Sequence, residues 1–374
     1  MRKHLTVEPD LKFIEEIRGL GGDTLKSCFQ CATCSVVCTI SPETNPFPRK
    51  EMIMASWGLK DNLITSPDVW LCHNCGDCSA MCPRGARPGD VLAAIRSLAI
   101  RDFSPSKRLS DLVNDPRKLP ILFLVPALLF ALMAYLTHCF PQALSHGPIE
   151  GIAHSKFIST WLVDLIFVPL GMGVVTLFFL SIKKFLTAIQ GNGQGKPIEL
   201  KPFLKAFVPT LLEIVRHERF SQCSENREKS TAHMMVLFGF VGSFIVTLFV
   251  FTLLYVFHIH GPFSQLNPLK WLANIAGVSL VVGSTIMIFH RLKDGESVSN
   301  YRDWYLLGLV LGLGLTGMLS EITRLAGLET SSYAIYLVHL VFVFNFMAFL
   351  PVSKLAHLSY RTLAMVYARY SKRE

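Results

Sequence analysis

Two stretches decide the fold of the first third of the chain: CFQCATCSVVC at residues 28–38 and CHNCGDCSAMCP at residues 72–83. In each, two residues separate the first three cysteines, and three residues separate the third from a fourth. Such a loop wraps three corners of a cubane iron–sulfur cluster, and its fourth cysteine reaches the neighbouring cluster. We therefore predict two [4Fe-4S] clusters with crossed ligands. The predicted ligands are Cys28, Cys31, Cys34 and Cys82 for the first cluster, and Cys72, Cys75, Cys78 and Cys38 for the second.

Zinc is the alternative occupant of these cysteine groups. Structural zinc sites take four ligands and commonly use two CxxC pairs, whereas each group here is one CxxCxxCxxxC run. One irregularity separates the groups, because Cys82 is followed by Pro83 but Cys38 by Thr39. Residues 1–20 lack the continuous apolar core of a signal peptide. The spacing therefore favours clusters over zinc. Because no signal peptide is found, we expect the clusters to lie in the reducing cytoplasm.

The composition indicates a membrane protein, since 51% of the 374 residues are apolar and 17% are charged. The net charge of +9 could suggest a nucleic-acid partner, so its placement matters. Residues 1–118 carry 16 basic against 14 acidic side chains, and the remaining excess lies beside apolar segments. No nucleic-acid-binding motif is present in the sequence, and we expect no nucleic-acid partner.

An all-α chain follows from the hydrophobic pattern. Residues 1–118 read as a soluble helical ferredoxin domain with two clusters, including a helical stretch over 48–64 between the cysteine groups. Residues 119–374 read as a six-helix transmembrane bundle. The predicted spans are Leu119–Phe140, Phe157–Ile182, Met234–Phe257, Trp271–Phe289, Trp304–Leu325 and Ser332–Val352.

The placement of Lys and Arg predicts the orientation. They concentrate in the loops after spans two and four and in the segment after span six, whereas the other loops carry almost none. By the positive-inside rule, both termini and the ferredoxin domain face the cytoplasm from a multi-pass inner membrane protein. Residues 202–220 read as an amphipathic helix lying on that inner surface.

Histidines inside apolar spans are costly and usually functional. His233 opens span three and His357 follows span six, so both lie at similar depth on the inner side. We predict that they ligate one haem b from its two faces. His339, eighteen residues before His357, is the candidate ligand of a second haem nearer the outside. The alternative is that these histidines are interfacial residues. We expect His154 and His217 to be surface residues.

Two family resemblances extend this interpretation. Residues 20–100 look like the C subunit of heterodisulfide reductases, without the Cys-Cys-Gly sequence of their disulfide-reducing companion. Residues 155–360 resemble the cytochrome b subunit of respiratory nitrate reductase, whose ligand positions match His233, His339 and His357. Where that family has its remaining ligand, this chain has Ser243. That departure leaves the second haem in question, with His138 and His258 as poorly placed substitutes.

The fusion of both parts resembles the C subunit of the quinone-interacting membrane-bound oxidoreductases of sulfate reducers. That resemblance implies that electrons pass from quinol through haem b and both clusters to flavoprotein partners related to the A subunit of heterodisulfide reductase. Adenylylsulfate reductase would be the final acceptor. Two alternatives stay open: another acceptor, such as a heterodisulfide or the sulfite pathway, and a membrane anchor whose six helices hold no cofactor.

A quinone site is the last expectation, for menaquinol on the outer half of the membrane domain. Asp164, Glu321, Arg324 and His339 are ionisable groups at one depth in apolar spans. A buried carboxylate there could take the protons that quinol releases on oxidation. The alternative is that Glu321 and Arg324 form an i,i+3 ion pair and that Asp164 is partly solvated. A quinone site on the inner side, near the first haem, also stays open.

Overall fold

The computed structural model describes residues 8–140, 151–191, 196–218, 227–293 and 300–373. Within these ranges the chain is helical and contains no strand, which confirms the all-α prediction. Six of the helices are long and apolar enough to cross a membrane, as predicted. These spans are Pro116–Cys139, Thr160–Gly191, Ser230–Tyr255, Pro268–Lys293, Tyr301–Leu325 and Glu329–Phe349.

The N-terminal module consists of short helices around the two cysteine runs. One long helix, Pro88–Phe103, lies across them and buries an apolar face. The remaining α-helices of the module are Leu11–Ile17, Thr33–Val36, Arg49–Ser56, Lys60–Ile64, Asp68–Leu71, Asp77–Ala80 and Lys107–Asn114.

The helical stretch predicted over 48–64 is broken into two helices at Gly58. This glycine has φ +66, and a Cβ there would lie 2.8 Å from the Asp10 carbonyl oxygen. The Asp10 amide donates to the Gly58 carbonyl at 3.0 Å, and its Oδ1 accepts from the Phe13 amide at 2.9 Å. The break therefore holds the start of the first helix against the turn, and only glycine fits that close approach.

Span six ends at Phe349, and His357 belongs to a separate last helix, His357–Tyr370. The predicted span six, Ser332–Val352, runs three residues past this end. Pro351 explains the break, because proline has no amide proton and disfavours helix at the residue before it. A single turn, Lys354–Ala356, then leads into the last helix.

The last helix turns back into the N-terminal module. Four aromatic rings meet there, which we call the aromatic joint: Trp70, Phe103, Phe185 and Tyr360. Trp70 stacks on Tyr360 at 5.1 Å between centroids, and Phe185, from span two, meets Tyr360 edge-on at 5.1 Å. All four are buried. The buried core of residues 1–118 therefore includes residues from span two and from the last helix.

The amphipathic stretch expected near 202–220 forms the helix Leu200–Arg216. It packs on the last helix, where Arg369 binds Glu213 at 2.6 Å and Tyr370 meets Phe203 edge-on at 5.9 Å. Its opposite face exposes apolar side chains: Leu200, Leu204, Val208, Leu211 and Leu212. An exposed apolar face of this kind suits a bilayer surface.

We expect the aromatic joint to stabilise the N-terminal module. Tyr360→Ala should lower the free energy of unfolding of the N-terminal module by roughly 3–5 kcal/mol, as expected for loss of a buried aromatic ring. Pulse proteolysis in urea of the protein in nanodiscs measures this. Leu358→Ala, on the same helix at a position 44% exposed, is the matched control and should change little. Equal stability of the two variants would contradict the role given to the joint.

Candidate functional site

The first cysteine group curls around a common centre. Gln30 and Ala32 adopt positive φ values of 62 and 70, which bend the loop between Cys28 and Cys34. Burial, and next the neighbouring Cys28 and Cys31 sulphurs, raise the pKa of the Cys34 thiol to about 11. A bound iron ion stabilises such crowded thiols in their thiolate form, because its positive charge relieves the repulsion between them.

The second group lines a small cavity, and Cys38 lies in its wall together with the thiols of Cys72, Cys75 and Cys78. Burial, together with the sulphurs of Cys72 and Cys75, raises the pKa of the Cys38 thiol to about 12. Burial and the same neighbours raise the pKa of Cys78. The fourth cysteine of the first run thus stands among the cysteines of the second.

Near Cys82, the second cysteine run also contacts the first. Arg84 places its guanidinium 4.0 Å from the centre of the Phe29 ring, which follows Cys28. The end of the second run therefore meets the beginning of the first. This proximity is compatible with ligation of the first cluster by Cys82, which stays a prediction.

The donor set fits iron–sulfur clusters. The Asn74 amide donates to Cys72 Sγ, and the Gln30 side-chain amide to Cys28 Sγ, each at 3.3 Å. Hydrogen bonds to cysteine sulphur are among the features that tune cluster potentials. Within the described residues, no three His, Cys, Asp or Glu side chains stand close enough to share one metal ion.

His357 begins the last helix with its ring fixed. Nδ1 donates to the Lys354 carbonyl oxygen at 2.6 Å, which leaves Nε2 available. Burial, and next the nearby charge of His233, lower the pKa of His357 to about 3. The ring is therefore neutral at physiological pH, which is the form that binds a metal.

His233 has a partner that no sequence pattern indicates. His217, expected to be a surface residue, follows the Leu200–Arg216 helix and places Nε2 3.1 Å from Nδ1 of His233. No local signal marks His217, because the two residues meet only after the chain has crossed residues 219–226. The Nδ1 atom of His233 is thus engaged, as it is in His357.

His339 lies midway along span six, which begins at Glu329 at the end of the bundle away from the module. Thr316 Oγ1 is 2.9 Å from Nδ1 of His339, and a Cβ at Gly317 would lie 3.1 Å from its ring. Neither His138 nor His258 is buried. His154 is instead the histidine within electrostatic range of His339.

The other residues expected at a quinone site gather at the same end. Glu321 pairs with Arg324 at 2.8 Å, the i,i+3 ion pair of the alternative interpretation, and also with Lys270 at 2.9 Å. Asp164 is not part of this ion pair, since it accepts a hydrogen bond from the Tyr255 hydroxyl. The structure therefore brings Glu321 and Arg324 together and pairs Asp164 with Tyr255 instead.

His154 was expected at the surface but is half-buried among these groups. Its Nε2 lies 3.0 Å from Ser332 Oγ and 3.1 Å from Ser320 Oγ, and its ring stacks on Tyr336 at 4.4 Å. Burial, and next the charge of Arg324, lower the pKa of His154 to about 4. We call His154, Asp164, Glu321, Arg324 and Tyr336 the far polar cluster.

Comparison with known proteins places the cysteine runs in a family. A model described as a 4Fe-4S dicluster domain matches residues 24–86. The C subunit of the H(2):CoB-CoM heterodisulfide,ferredoxin reductase of Methanothermobacter marburgensis is 33% identical over 143 residues, covering 36% of this chain and 77% of the relative. The C subunit of the ferredoxin:CoB-CoM heterodisulfide reductase of Methanosarcina mazei is 30% identical over 107 residues, covering 28% and 65%. No solved structure matches the chain.

The position of Cys38 beside the second cysteine group predicts which cluster depends on it. Cys38→Ala should remove the paramagnetic resonance signal of the second cluster and spare the first, because its thiol lies with Cys72, Cys75 and Cys78. Iron content should fall in parallel. Cys139→Ala, an exposed cysteine outside both groups, is the control. Loss of the first cluster alone from the Cys38 variant would show that the ligands are not crossed.

Proposed function

The chain belongs to the family of C-type iron–sulfur subunits of heterodisulfide reductases, and we propose that it carries electrons between membrane menaquinol and soluble partners. It is an iron–sulfur component of a redox complex, and six apolar helices accompany its cluster module. The observation that carries the proposal is the contact between the second cysteine group and the last helix, which begins at His357. Within the proposal, haem b and two [4Fe-4S] clusters supply one-electron chemistry, and this chain holds them.

The proposed haem b is ligated by His233 and His357. Both residues have Nδ1 engaged, by His217 and by the Lys354 carbonyl, so that Nε2 is left for iron. Such outer hydrogen bonds fix the tautomer and orientation of metal-binding histidines. His339, engaged through Thr316, has the same form and is proposed as a ligand of a second haem.

The far polar cluster is the proposed quinone site. Asp164 is a half-buried carboxylate that can accept a proton, and the Tyr336 ring, stacked on His154, offers an aromatic surface to a quinone head group. Glu321 is committed to two cations, so it suits a structural charge better than a proton acceptor. We therefore give Asp164 the proton-accepting role and Glu321 and Arg324 the role of holding the cluster together.

The proposed partners are flavoproteins related to the A subunit of heterodisulfide reductase, on the cytoplasmic side. The first cysteine group exposes Phe29 and Val36 beside the exposed Cys31, and the second group exposes Met81. Such an apolar patch on a soluble surface is typical of a protein contact. We propose adenylylsulfate reductase as the final acceptor because of the fusion with a quinone-type membrane domain; a heterodisulfide or the sulfite pathway is the alternative.

Haem binding is tested by the histidines. His233→Ala and His357→Ala should each abolish the same low-spin haem b, because each leaves one axial position empty, and His339→Ala should spare it. A reduced-minus-oxidised spectrum with haem quantified per chain measures this. His290→Ala, at the module-side end of span four, is the control. Absence of haem from the unaltered protein would favour a cofactor-free membrane anchor.

Quinol oxidation is tested at the far polar cluster. Asp164→Asn should slow haem reduction by a menaquinol analogue at least about tenfold, the lower range for loss of a proton acceptor. Glu321→Gln should slow it less and weaken the fold of the cluster. Stopped-flow absorbance measures both, with haem content and dithionite reduction unchanged. Glu329→Gln, an exposed carboxylate at the same end, is the control. Unaltered kinetics in Asp164→Asn would place the site elsewhere.

A further inference from the structure

The last helix contacts both the proposed haem ligands and one cysteine group. Its first residue is His357, and one turn later Arg361 donates from two guanidinium nitrogens to the Leu71 and Cys72 carbonyls, each at 3.3 Å. Between them, Tyr360 stacks on Trp70, two residues before Cys72. Four residues of helix span roughly 6 Å. The second cysteine group is thus fixed one helical turn from His357.

Arg361 also lies within electrostatic range of three histidines, His217, His233 and His357, which we call the histidine pocket. One side chain therefore lies between the proposed haem ligands and the backbone that leads into Cys72. A positive charge in this position is shared by both sites.

The first group faces the other way. Cys31 is exposed, and Phe29 and Val36 beside it are 67% and 83% exposed. The contacts of the Cys28 and Cys31 sulphurs are local, with Gln30 and Thr33. A second contact of the module with the bundle joins Asn300 to the Leu20 carbonyl at 2.6 Å, eight residues before Cys28.

We propose that the second cluster, on Cys72, Cys75, Cys78 and Cys38, is the one that exchanges electrons with the haem, and that the first cluster is reached only through it. One electron leaves the reduced haem and enters the oxidised second cluster, then the first, with no bond or proton changed. Arg361 is the positioning residue of that junction. The inference rests on the proposed function, and it adds the order of the cofactors and the residue that sets it.

Two variants test the order, and each removes one cluster whether or not the ligands are crossed. In Cys75→Ser, a menaquinol analogue should still reduce the haem, but the first cluster should stay oxidised. In Cys31→Ser, the second cluster should be reduced by quinol as in the unaltered protein. Freeze-quench paramagnetic resonance follows the clusters, and dithionite reduction shows that the remaining cluster is intact in each variant.

Arg361→Gln tests the junction separately, against Arg369→Gln on the same helix, whose partner is Glu213. Arg361→Gln should shift the potential and resonance signal of the second cluster, slow haem reoxidation and leave the first cluster's signal in place. Arg361→Lys should shift the potential less than Arg361→Gln does, because the charge remains while the paired hydrogen bonds are weakened. Arg369→Gln should change none of these.

The outcomes separate this inference from the proposed function. Quinol reduction of the first cluster in Cys75→Ser at the unaltered rate would overturn the order and point to the Asn300–Leu20 contact as the route. An unshifted second cluster in Arg361→Gln, with full cofactor content, would overturn the role of Arg361. Failure of quinol to reduce the haem in the unaltered protein would instead remove the proposed function.

Discussion

The stacking of Tyr360 on Trp70 is the contact on which the rest of the arrangement depends. It joins the last helix to the short helix that leads into Cys72, and Phe185 closes the same cluster from the end of span two. Aromatic pairs of this kind contribute about 1 kcal/mol each beyond the burial of their area. The module, the bundle and the last helix therefore share one core, and the distance from the histidine pocket to the cysteines is set by packing.

Much of the architecture could be predicted because its signals are local. Cysteine spacing indicated a dicluster module, which the matching family model confirms. Runs of apolar residues indicated six spans, and six helices of that character are present. The crossed ligands stay a prediction, although Cys38 lies where that prediction needs it. Such features depend on residues a few positions apart, which a single sequence displays directly.

The missed features depend on contacts between distant segments. His217 meets His233, and His154 meets Ser320 and Ser332, across separations that no local pattern reveals. Polar loops surround His154 and His217, and such surroundings predict a surface position. The break after span six had a visible signal in Pro351, yet the return of the last helix into the module had none. A helix with mixed polarity can lie on a membrane or on a protein, and tertiary packing decides between them.

The shared core also constrains how the protein is made. Residues 357–370 supply Tyr360, Met365 and Tyr367 to the interior of a module whose cysteines lie before residue 83. During synthesis, all six spans must leave the ribosome before that interior can close. The cysteine loops therefore reach their final packing only after the last helix has been synthesised. A chain stopped short of the last helix would leave the interior of the module open.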